Sequence, residues 1–157
     1  MLLVHRSAGI VAIGLIGLFW LSTAISELWL SEPTIVAIKS LIPYGFLFLV
    51  PAIATAGITG IKLAKGRNSG IVGTKLKRMP FVAVNGLVVL IPSALFLASR
   101  AKGGNFDTWF YTIQTIELLA GATNFTLLAL NMRDGFKMTS GRRRRDAQRR
   151  ANPDSNT

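Results

Sequence analysis

The sequence predicts an all-α fold: a polytopic membrane four-helix bundle with both termini cytoplasmic (N-in/C-in) and a disordered basic cytoplasmic tail. Three observations carry this. Half of the 157 residues are apolar, gathered into four runs of the ~20 residues that a bilayer crossing needs. Basic residues cluster on one side of those runs, giving a net charge of +11. There is no cysteine, which excludes disulfides, thiolate catalysis and cysteine-ligated zinc, iron–sulfur or c-type haem sites.

The first span is expected over about residues 8–30. Arg6, an apolar run and Ser22–Thr23–Ala24 mimic a secretory signal peptide, but the run continues through Ile25, Leu28, Trp29 and Leu30. That length fits an uncleaved span better. Ser31–Glu32–Pro33–Thr34 reads as a turn leading to a second span over about 38–63. Pro43 and Pro51 should kink it. Ala52, Ala56 and Gly60 give it a smooth ridge, matched by Gly9, Gly17 and Ala24 on the first span; such ridges suit tight packing within the bundle.

A glycine-containing basic loop precedes the third span, expected over about 80–99 with Pro80 in its first turn and Pro92 inside it. The glycines before Thr74–Lys75 do not match a phosphate-binding loop. Lys102–Gly103–Gly104–Asn105 reads as a turn. Asp107 and Thr108 can cap the fourth span, expected over about 107–132. Residues 1–138 thus form one transmembrane domain, and 139–157 an Arg-rich polar tail without an apolar face.

Arg6, Lys62, Lys65, Arg67, Lys75, Lys77, Arg78 and the tail arginines share one side; Lys39, Arg100 and Lys102 are assigned to the other, with Glu27, Glu32 and Asp107. Positive charge stays cytoplasmic, which sets the orientation, and Trp29 and Trp109 fall at the outer interface. Short loops, this charge bias and the lack of cysteine point to a bacterial inner (plasma) membrane.

On the fourth span Gln114, Glu117, Gly121, Asn124 and Asn131 fall on one stripe roughly 100° wide. A carboxylate inside a span marks a functional position by default; the competing role is a hydrogen-bonded group joining helices. Asn85 on the third span lies near the depth of Asn124, so an Asn85–Asn124 contact is expected, with Gly86 allowing close approach. No basic residue is placed at the depth of Glu117, so a protonated or water-contacting carboxylate is expected there. Pro51 and Pro92 lie in the same middle layer, where kinks would open a pocket beside Glu117.

His5 is the only histidine. Val4–His5–Arg6, followed by a glycine-rich span ending near Trp20, resembles the first helix of small four-helix haem or copper membrane proteins, such as bacterial-type protoporphyrinogen oxidases and copper-export proteins. The resemblance covers one helix and implies His5 as a haem b or metal ligand; the further histidine or methionine ligands such sites use are not evident. No metal site and no cofactor is otherwise expected. Arg142, Arg143, Arg144 and Arg145 fit anionic lipid at the cytoplasmic face, or an acidic partner; without interleaved aromatics, nucleic acid is disfavoured.

Three functions follow. The favoured one is a structural or accessory subunit of a membrane complex, because no catalytic constellation appears and the spans hold few polar residues. The second is a ligand-binding or proton-coupled carrier using Glu117, acting as a homodimer. The third is a haem-bearing redox protein using His5. Hydrolytic chemistry is disfavoured, since His5 and Glu117 lie at different depths.

Overall fold

The computed structural model describes residues 1–66 and 69–151, with side chains described through Lys137 and at Ser140 and Gln148. It is all-helical: α1 (Leu2–Trp29), α2 (Glu32–Ala64), α3 (Gly70–Asn85), a π-helical turn over Gly86–Leu90, α4 (Ile91–Lys102) and α5 (Thr108–Ala151). Backbone angles stay right-handed helical through the π turn, so α3 and α4 form one rod. Among the described residues, four rods are long and apolar enough to cross a membrane: Leu2–Trp29, Glu32–Ala64, Gly70–Lys102 and Thr108–Lys137. Their outer surfaces expose Leu18, Leu21, Phe48, Leu87 and Leu119, as contact with lipid would require.

α1 packs along α2 and α5, and the α3–α4 rod packs along the same two helices. The rods therefore close into a ring, with α2 and α5 on opposite corners. Among the described residues, no Cα of α2 comes within 8 Å of one in α5. Ala12, Ile16, Leu49 and Ala52 form one core cluster, between α1 and α2. Ile35, Leu97, Ala101 and Phe110 form another, joining α2, α4 and α5. The expected ridge of α2 is used internally: Ala52 and Ala56 are buried, and Gly60 faces the His5 ring.

Helix starts differ from the sequence expectation, each for a local reason. α1 begins at Leu2, because Leu2–Val4 extend its apolar pattern and His5 fastens its first turn to α2. The His5 ring donates Nδ1–H to the Ala56 carbonyl at 3.0 Å and lies 3.1 Å from the Thr59 hydroxyl.

α2 begins at Glu32, after an extended Ser31. The Ser31 carbonyl accepts the N–H groups of Thr34 and Ile35, so the four residues read as a turn are the first turn of the helix. Pro33 fits there because its missing N–H would have no intrahelical partner.

α3 begins at Gly70, which leaves Pro80 inside the helix rather than at its start. The stretch before Pro80 is held to α5 by Arg78, whose Nη1 donates to Asp134 at 2.9 Å. Further along, the Ile91 N–H reaches back to the Gly86 carbonyl, closing the π turn. Pro92 explains it: proline has no N–H and its ring crowds the carbonyl four residues earlier, so the helix widens just before it.

α5 is capped as expected, with Asp107 Oδ1 accepting the Phe110 N–H at 3.0 Å. Its helical backbone continues past the expected end near Met132 to Ala151. Of the expected tail over 139–157, residues 152–157 lie outside the described residues, as do the side chains of Arg142 to Arg145.

Candidate intramembrane site

The polar stripe of α5 faces the bundle interior. Gln114, Asn124 and Asn131 are buried, and Gly121 lies against the Trp20 indole. From the loop end inward, this stripe meets a different helix at each level.

At the level of Glu117 the structure overturns an expectation. Lys39 Nζ donates to Glu117 Oε2 at 2.7 Å, and the lysine side chain is only 1% exposed. The sequence reading placed Lys39 outside the membrane because it began the second span near residue 38. With α2 starting at Glu32, Lys39 sits about two turns inside the helix, and its four-carbon stem reaches across the ring to α5. Glu117 is therefore ion-paired, not a lone protonated or water-contacting carboxylate. An ion pair hidden from water offsets its desolvation only with close geometry, which 2.7 Å supplies.

Two further groups stand at this level. Glu27 of α1 is near enough to both Lys39 and Glu117 to interact electrostatically with each. Its Oε1 is buried without a hydrogen-bond partner. Gln114, one turn from Glu117 on the same face, is 4% exposed, and neither of its side-chain polar atoms has a partner.

Deeper in the bundle, Asn85 Nδ2 donates to Asn124 Oδ1 at 2.9 Å and to the Ala120 carbonyl at 3.0 Å. Asn124 Nδ2 in turn donates to the Val82 carbonyl at 3.2 Å. The expected Asn85–Asn124 contact is thus present. Gly86 is not what permits it: an added Cβ would lie 3.6 Å from Asn124 Nδ2, an ordinary contact. At the far end, Asn131 accepts from Arg78 at 3.5 Å and donates to the Met79 sulfur at 3.4 Å.

A cavity of about 290 Å³ lies between the rods beside Glu117. Its walls are almost wholly apolar, with Thr23, Trp20, Glu117 and Asn124 among the lining residues. The expected prolines do not line it themselves, although their neighbours Val50 and Ile91 do. So do Gly86, Leu87 and Leu90 of the π turn. Val50 and Leu87 are also exposed on the outer surface, so the cavity opens sideways between α2 and the π turn. The Trp20 indole N–H donates to the Leu118 carbonyl at 2.8 Å, which holds the ring as a fixed wall.

His5 is not brought to this site. It contacts α2 at Ala56 and Thr59, roughly 25 Å along the helix from Lys39 at 1.5 Å per residue. With Nδ1 given to the Ala56 carbonyl, Nε2 is the ring nitrogen left for a ligand. Among the described residues, no group of three or more His, Asp or Glu side chains is placed to hold a metal ion.

Sequence reasoning missed Lys39, Glu27, Trp20 and the Arg78–Asp134 pair. Lys39 had a usable signal in Ser31 followed by Pro33, a helix-start pattern. The others had none, because their roles depend on which rods are neighbours. Comparison of the chain with family models, with curated proteins and with solved structures gives no match.

Proposed function

We propose that this chain is a small integral membrane protein that takes up a lipid-soluble ligand in its intramembrane cavity, with the ligand's polar end directed at Glu117. The observation that carries this reading is the cavity of about 290 Å³ with an apolar wall and a carboxylate at its edge. An apolar void forfeits dispersion contacts along its lining, and such voids take up apolar molecules readily. The volume is at the small end of ligand pockets, which run from about 300 Å³ upward. A single chain or ring therefore fits better than a whole phospholipid. The sideways opening gives access from the bilayer.

The accessory-subunit reading rested on the absence of a catalytic constellation and the few polar residues in the spans. The Lys39–Glu117 pair, with Glu27 and Gln114, weighs against the second of these grounds. The orientation we favour remains that of the charge bias: both termini cytoplasmic, in a bacterial inner membrane, with Arg142 to Arg145 at anionic lipid. Homodimer formation belongs to the same reading, as a way for so small a bundle to act as a carrier.

Trp20 is a built-in reporter, since it lines the cavity. With Trp29 and Trp109 replaced by Phe, its fluorescence in nanodiscs should be quenched saturably by a brominated long-chain alcohol. Val50→Trp would confuse the signal, so the blocking variant is Ala83→Leu, which fills the wall. Saturable quenching that Ala83→Leu weakens tenfold or more supports the reading. Quenching that only rises linearly, as partition into the bilayer would give, defeats it.

A further inference from the structure

Two carboxylates and one ammonium meet inside the bundle near the outer end of α1. Lys39 is committed to Glu117 at 2.7 Å. Glu27 interacts with both electrostatically, yet its buried Oε1 has no hydrogen-bond partner. α1 packs only on α2 and α5 among the described residues. The charged groups facing Glu27 from those helices are Lys39 of α2 and Glu117 of α5. One lysine cannot neutralise two carboxylates, and an uncompensated charge in a low-dielectric layer is unfavourable. Gln114 adds an independent sign of an unfilled polar position: it is 4% exposed, and both of its polar atoms are unpartnered.

We propose that Glu27, Lys39, Gln114 and Glu117 form a proton-exchange site in which Glu27 carries the exchangeable proton while Lys39 and Glu117 stay paired. Uptake forms one O–H bond on Glu27 from a proton of bulk water, and release returns it, with no other reactant. Placing the proton on Glu117 would give up the ion pair. Placing it on Glu27 removes the uncompensated charge and leaves the Lys39–Glu117 pair intact. Glu27 also stands nearest the bulk, two residues before the end of α1 at Trp29, with its side chain half-buried. It is therefore the group through which the interior pair would communicate with the aqueous phase. This site stands on its own geometry and needs no occupant in the cavity.

The test is infrared spectroscopy of the full chain in nanodiscs, as acid-minus-neutral difference spectra in H₂O and D₂O. The protonated-carboxyl band of wild type should lose a deuterium-sensitive component in Glu27→Gln, whereas in Glu117→Gln, which frees Lys39 to neutralise Glu27, that component should persist but form only at lower pH. Glu27→Asp should shift that component without removing it, and this variant decides the matter if Glu27→Gln does not fold. A band unchanged in Glu27→Gln and unmoved in Glu27→Asp overturns the proposal, as does a component lost only in Glu117→Gln. No ligand takes part, so a failure of Trp20 quenching leaves this result independent.

Discussion

Lys39 of α2 and Glu117 of α5 are joined at 2.7 Å across the diagonal of the bundle, between helices whose Cα atoms nowhere come within 8 Å among the described residues. The pair is a side-chain bridge between two rods that the backbone keeps apart. Removing Lys39 should leave two carboxylates uncompensated, whereas removing Glu117 leaves Lys39 with Glu27 still near enough to interact. Lys39→Met is expected to lose about 3–5 kcal/mol, Glu117→Leu less because Glu27 can still compensate Lys39, and the double variant markedly less than their sum. Reversible unfolding in mixed micelles measures this. Strictly additive losses would show that the two groups act separately.

Asn85 and Asn124 should also couple, more weakly. Their hydrogen bond joins the α3–α4 rod to α5, and interhelical bonds of this kind average about 0.6 kcal/mol in membranes. A cycle of Asn85→Leu, Asn124→Leu and the double variant should return a coupling energy near that size. A value indistinguishable from zero would count against the bond as a stabilising contact.

Gly121 is required by Trp20. A Cβ there would lie 2.8 Å from Trp20 Cδ1, and the indole cannot swing away without losing its bond to the Leu118 carbonyl. Helix propensity alone favours alanine over glycine by about 1 kcal/mol. Gly121→Ala should nevertheless destabilise, as overpacking typically costs about 1–3 kcal/mol. Trp20→Phe should relieve most of that loss. If Gly121→Ala proves stabilising in an otherwise wild-type chain, the close packing is wrong.

Pro92 should maintain the π turn that borders the cavity. Pro92→Ala restores an N–H donor and removes the ring, so residues 86–90 should return to regular α-helical bonding. Amide hydrogen exchange around Leu87 and Val88 should slow. The same variant should weaken saturable quenching of Trp20, because Gly86, Leu87 and Leu90 line the cavity. Unchanged exchange at these positions would assign the π turn to a cause other than Pro92.

The four apolar rods were legible because bilayer thickness imposes a length that composition alone can meet. The Asn85–Asn124 contact was legible from depth, since both residues lie a similar distance from the same end of adjacent rods. Lys39 was lost through a misread helix start. Taking Pro33 as a turn residue instead of a first-turn residue moved the lysine from inside the bundle to outside it. Glu27, Trp20 and the cavity depend on which rods are neighbours and which are opposite. That order is decided by packing among all four helices, and no local run of sequence encodes it.

The Lys39–Glu117 bridge has a consequence for biogenesis. Its partners are 78 positions apart in the chain, and the helix bearing Glu117 is synthesised after the other three rods. Until that helix arrives, the ammonium of the second one has only Glu27 of the first as a nearby counter-charge, and insertion scales disfavour an unpaired lysine in a span by about 2.5–3.5 kcal/mol at the bilayer centre. The nascent chain thus carries an internal reason to delay settling. A ribosome-bound intermediate ending before Glu117 should remain loosely associated and open to degradation, and completion of α5 is what should lock the assembly.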